Sequence, residues 1–109
     1  MSGNLFTGTL DLLILRTLTT EPMHGYGILR WIRDRTEGVL EVEQGALYPA
    51  LHRLARKGWV SDEWGVTDTG REARFYTLTG KGRKALEQEA ARWDEHAQAV
   101  YAVLGPSEE

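Results

Sequence analysis

Three histidines, at positions 24, 52 and 96, are the only imidazoles in the chain, and their separations fit no metal-ligand pattern. Cysteine is absent, which removes thiolate zinc sites, a thiol nucleophile and any disulfide framework. Two Gly-x-Gly fragments, Gly25-Tyr26-Gly27 and Gly80-Lys81-Gly82, lack the third glycine and the strand-before-helix context of a dinucleotide loop. No nucleophile, base and orienting acid fall together in a recognisable spacing. The residues do not outline an enzyme, and neither a metal nor a cofactor is expected. What remains is recognition by charge and hydrogen bonding.

The charge is unevenly placed. Over all 109 residues, 13 basic and 16 acidic side chains give −3, a balance unlike that of a histone-like or ribosomal polycation. Residues 44–84, however, hold 8 basic and 4 acidic groups, or +4, between an N-terminal part at −2 and residues 85–109 at −5. The basic block contains Arg53, Arg71 and Arg74, and it ends in Lys81, Arg83 and Lys84. Within it, Gln44, Tyr48 and His52 recur every fourth residue and offer amide, hydroxyl and imidazole groups along one helical stripe. Leu47, Leu51 and Leu54 form a different stripe, facing inward. Such a helix can present polar groups to bases or phosphates while its other side packs.

The elements that position these groups follow from periodicity and punctuation. Thr9 to Leu18 is predicted as a helix that is apolar on nearly all sides, with Asp11 and Arg16 in the order a helix dipole prefers. Burial on more than one face is hard to supply within 109 residues, so this helix points to an oligomer. A second helix is expected from His24 to Thr36, stopped by Gly38, and a third from about Gly45 to Lys57, stopped by Gly58. Strands near Trp59 to Trp64 and Arg74 to Leu78 make a hairpin around a polar turn. Thr79 is the predicted N-cap of a last helix reaching Leu104. In that helix Leu86, Ala90, Trp93, Ala97, Val100 and Leu104 are spaced by 4, 3, 4, 3 and 4, the seam of a helix packed along another helix. Docking of this seam on Leu10 and Leu13 of the first helix, in a second subunit, accounts for both apolar surfaces.

The fold class expected is mainly α (α+β): a winged helix-turn-helix with a two-stranded wing and a long C-terminal dimerisation helix. Residues 5–80 would form the DNA-binding domain, 81–104 the dimerisation helix and 105–109 a tail. Apolar runs are short, four residues from Leu12 to Leu15 and six from Ala99 to Leu104, against roughly 20 for a membrane span. No membrane association is expected. The N-terminus has no basic region ahead of an apolar stretch, so the chain is expected in the cytoplasm.

Several motifs occur in order: Met23-His24-Gly25-Tyr26-Gly27-Ile28, then Gly45 to Leu54, then Lys57-Gly58-Trp59-Val60, then Arg74-Phe75-Tyr76-Thr77-Leu78-Thr79-Gly80-Lys81-Gly82. As an ordered set over residues 5 to 104, they resemble the PadR-type transcriptional regulators, and the single terminal helix resembles the short-tailed branch. The resemblance implies a homodimeric winged-helix repressor, and it places Tyr26 near the DNA backbone. Ala46 stands where many relatives carry Ser or Thr, which removes one phosphate contact. Trp93 stands where drug-sensing relatives stack planar aromatic ligands between subunits, so a small aromatic effector is implied there; filling the dimer interface is the plainer role for the same side chain.

The DNA-binding set expected is therefore Tyr26, Gln44, Ala46, Tyr48, Pro49, His52, Arg53, Arg71 and Arg74, reading a double-stranded operator of two-fold symmetry. The other reading of the same plan is a winged-helix protein-interaction module. That reading gives no reason for Arg71 and Arg74 to lie beside an outward-facing Tyr48.

Overall fold

An apolar first segment free of proline carries helix α1 from Ser2 to Thr17 in the computed structural model, which describes residues 2–105 and side chains from Gly8 onward. The helix starts well before the expected Thr9. Glycines at 3 and 8 weaken a helix by about 1 kcal/mol each but do not stop one. The earlier start moves Asp11 out of the first turn and into the helix interior, where it is 8% exposed. A dipole contact cannot explain a carboxylate placed there. A partner on another helix does.

The chain then forms strand β1 (Met23–His24), helix α2 (Gly25–Arg35), helix α3 (Gln44–Arg56), strands β2 (Val60–Val66) and β3 (Glu72–Leu78), and helix α4 (Gly80–Leu104). β1 is a correction to the sequence reading, which began the second helix at His24. His24 instead pairs with Phe75 and caps α2, its Nδ1 accepting from the Gly27 N–H at 3.1 Å. The sheet is accordingly three-stranded and antiparallel, in the order β1-β3-β2, rather than a two-stranded wing alone. Its long pairing runs from Val60↔Leu78 to Val66↔Glu72, so the hairpin extends past the expected Trp64 and Arg74.

The stops behave as their chemistry requires. Gly58 takes φ +79, and with Trp59 it closes α3 through bonds to Ala55 O and Leu54 O, both 3.0 Å. Only a residue without Cβ adopts that left-handed turn cheaply. Thr79 caps α4, its Oγ1 accepting from Gly82 N at 2.9 Å and donating to Gly58 O at 2.7 Å. α3 continues through Pro49, whose absent N–H leaves only the carbonyl of solvent-exposed Gly45 without its helical partner.

The core lies where the helices meet the sheet. Ile14 and Leu15 of α1, Ile28 and Ile32 of α2, and Leu47, Leu51 and Leu54 of α3 are almost completely buried, and Val60, Tyr76 and Leu78 close it from the sheet. The expected inward stripe of α3 is thus the core stripe. Leu10 and Leu13 are only half-buried, and beyond Leu86 the α4 seam leaves the core altogether. Trp93 and Val100 are each 40% exposed and Leu104 70%. α4 runs on past the core, and the chain as a whole measures 59 × 29 × 24 Å. Residue 1 and residues 106–109, most of the expected tail, lie outside the described residues.

Candidate nucleic-acid interface

β3 alternates. Tyr76 and Leu78 point into the core, so Arg74 and Glu72, on the same side of the strand, overhang the space next to α3. The N-terminus of α2 closes the other wall. Between them lies a cleft of about 830 Å³ lined by His24, Gly25, Tyr26 and Arg30, by Tyr48, and by the wing from Thr67 to Arg74. Four of the nine expected DNA-binding residues, Tyr26, Tyr48, Arg71 and Arg74, come together here.

Each is held by a distinct device. The Tyr48 phenol lies directly against Gly25, where a Cβ would overlap its ring, so the missing side chain at 25 makes the seat for the tyrosine. The Arg30 guanidinium sits 5.8 Å above the Tyr26 ring, one helical turn away. Arg74 donates to Asp62 at 2.8 Å and lies 4.9 Å over Trp64. Arg71 follows a turn closed by Thr67 N to Arg71 O at 2.8 Å and by Arg71 N to Thr67 Oγ1 at 3.1 Å, with Gly70 at φ +85. Among the described residues the Arg71 side chain makes no ion pair, so this ordered turn presents an uncommitted cation. Burial pushes the Tyr76 phenol up, aided by the nearby negative charge of Asp62, so the floor of the cleft stays neutral.

The remaining residues divide. Gln44 and His52 are exposed on the Tyr48 stripe, and His52 borders a smaller recess with Asp62 and Arg74. Ala46 and Pro49 are also exposed, but they border a separate groove of about 490 Å³ shared with Leu10 and Leu13 of α1. Arg53 is turned from the open face. Its Nη2 donates to Asp11 Oδ1 at 2.7 Å in a partly buried pair, which argues against the direct DNA contact expected of it. Burial raises the Asp11 carboxyl above the ordinary range, and the Arg53 hydrogen bond and charge oppose that rise. Sequence reasoning also missed Arg30, which lies outside the basic block. Its only signal was the i, i+4 spacing from Tyr26.

Of the apolar seam, Leu86 packs against the core, Ala97 is half-buried and Ala90 is exposed. Trp93 donates its indole N–H to Thr9 Oγ1 at 3.2 Å and meets His96 edge-on, with ring centroids 6.3 Å apart. Among the described residues no group of three or more His, Asp or Glu could hold a metal ion, and no helix is long and apolar enough to cross a membrane.

An exposed polar helix set beside an arginine-bearing hairpin, with a long helix leaving the body, defines a winged helix-turn-helix protein. Residues 14–88 match the transcriptional regulator PadR-like family, and the chain belongs to it. Among solved structures it is similar to a transcriptional regulator from Clostridium thermocellum, with TM-score 0.81 and 25% identity over 94% of this chain and 96% of that one. It is also similar to a PadR-like transcription factor from Bacteroides fragilis, with TM-score 0.75 and 30% identity over 94% and 96%. A transcriptional regulator from Mycobacterium tuberculosis shares 42% identity over 59 residues, 54% of each chain. The family is one of DNA-binding transcriptional regulators and not of enzymes.

Proposed function

We propose that this chain acts in the cytoplasm as a homodimeric repressor that binds a double-stranded operator of two-fold symmetry. The observation that supports this reading best is the meeting of Tyr48, Tyr26, Arg30, Arg71 and Arg74 at one cleft between α2, α3 and the wing. α3 enters the major groove with Gln44, Ala46, Tyr48, Pro49 and His52, and the wing and the start of α2 take phosphates. Two copies joined through Leu10, Leu13 and the α4 seam set two recognition helices about one DNA turn apart, roughly 34 Å. A small aromatic effector would act at Trp93, between the subunits, by favouring a dimer whose half-site separation does not fit.

In vitro selection of bound DNA tests the class, symmetry and spacing together. A recovered palindrome is expected; no enriched sequence would leave an interaction module as the better reading. On the recovered operator, Tyr48→Ala is expected to weaken binding by about 10- to 100-fold, corresponding to the roughly 1–3 kcal/mol of a good groove contact. The dimer should persist in that variant by light scattering. Arg30→Ala and Arg71→Ala should act differently. Each removes a cation per half-site, so the slope of log affinity against log salt should fall by about 2 per dimer, with sequence preference kept. An unchanged slope would remove that arginine from the phosphate contacts.

A further inference from the structure

The ion pair that withdraws Arg53 from the open face joins residues 42 positions apart, and it is the described ion pair that links α1 to α3. Its carboxylate is nearly enclosed: Asp11 is 8% exposed, and the charges that act on it are Arg53 of α3, Lys57 just past the end of α3, and Glu89 of α4. Two residues earlier on α1, Thr9 accepts the Trp93 indole N–H of α4. One short stretch of α1 therefore grips both the recognition helix and the long terminal helix. Elsewhere α1 and α3 share the apolar core through Ile14, Leu15, Leu47, Leu51 and Leu54, and apolar contacts set no hydrogen-bond direction. A charge-assisted hydrogen bond is directional and selects one orientation. Arg53 also lies near the C-terminal end of α3, nine residues from Gln44, which is roughly 13 Å at 1.5 Å per residue. A tilt of about 10° at Arg53 would thus move the reading end by about 2 Å.

We propose that Asp11 and Arg53 are positioning residues: their ion pair fixes the orientation of α3 against α1, and so sets the half-site spacing that the dimer accepts. The proposal rests on the dimeric operator-binding reading above. The buried Arg53 Nε, which makes no hydrogen bond among the described residues, fits this role. The Arg53 side chain is one-third exposed, but its Nη2 is committed to the Asp11 carboxylate at 2.7 Å.

The test uses the full chain and a set of operators whose half-sites are moved apart or together by single base pairs from the selected optimum. Wild type should discriminate sharply between the optimum and its neighbours. Asp11→Asn and Arg53→Gln should share one phenotype: several-fold weaker binding at the optimum, discrimination falling towards unity, and an unchanged salt slope, with the dimer and helix content intact. The exchange Asp11→Arg with Arg53→Asp should restore discrimination, since Glu89 then faces a cation and Lys57 an anion. Direct phosphate contact by Arg53 predicts the opposite pattern. Asp11→Asn would then bind more tightly at every spacing with a steeper salt slope, Arg53→Gln would flatten the slope, and the proposal would be overturned. Unchanged discrimination in both variants overturns it as well. A wild type that selects no operator overturns the functional reading, and this inference with it.

Discussion

Replacing Gly82 by alanine is expected to destabilise the fold by about 2–3 kcal/mol, the upper part of the usual range for overpacking. A Cβ at Gly82 would overlap the backbone carbonyl oxygen of Trp59 and come within 2.8 Å of Leu78 Cδ1. Neither can yield easily. The Trp59 carbonyl accepts from Thr79 N at 3.1 Å, and Thr79 in turn holds Gly58 O and Gly82 N through its hydroxyl. Gly82 is buried in the first turn of α4, at the joint where the root of the wing meets that helix. Gly80, two residues earlier, has nothing within 4 Å of where its Cβ would stand. Gly80→Ala should therefore stabilise slightly, by about 0.5 kcal/mol, by restricting the unfolded chain. Urea unfolding at one fixed protein concentration separates the two. Equal midpoints for Gly80→Ala and Gly82→Ala would show that the joint is not tight.

The contrast between these glycines marks what the sequence could and could not disclose. Local chemistry was legible: the Gly58 stop, the Thr79 cap and the Leu47, Leu51, Leu54 stripe all follow from residues within one or two turns of each other. β1 was not, because two residues carry no periodic signal and their pairing with Tyr76 and Phe75 is decided by a strand some 50 positions away. The pairing of Arg53 was hidden for a related reason. A lone carboxylate in an apolar helix needs a partner, and Asp11 was satisfied on paper by a dipole at a helix start that the chain does not use. Its partner lay on another helix. The whole-chain charge of −3 concealed the site in the same way, because the +4 of residues 44–84 disappears in the sum. Four of the nine expected contacts nevertheless meet at one cleft, since exposed position on α3 and placement in the hairpin are both local properties.

The largest effect on operator binding is expected from charging the far end of α4. Val100 is 40% and Leu104 70% exposed, and the residues of α4 that are buried are Gly82 and Ala85, in its first two turns. Val100→Asp with Leu104→Asp therefore removes little packing within the chain, and an exposed substitution typically moves stability by no more than about 0.5 kcal/mol. In a dimer built on this seam, the same change places two carboxylates per subunit in an apolar contact, where uncompensated charge is strongly unfavourable. The expected product is a folded monomer by light scattering, with unchanged helix content. Losing the linkage between two half-sites should lower operator affinity by about 10²- to 10⁴-fold without touching a DNA contact. The α4 region is already acidic, so added negative charge could weaken DNA binding at long range whatever the oligomeric state. Ala99→Asp is the control: it adds charge to the same stretch of helix on the face opposite the seam and should leave both the dimer and the affinity near wild type. A double variant that stays dimeric would move the subunit contact off this seam. One that becomes monomeric yet binds the operator unchanged would show that pairing of recognition helices does not carry the affinity.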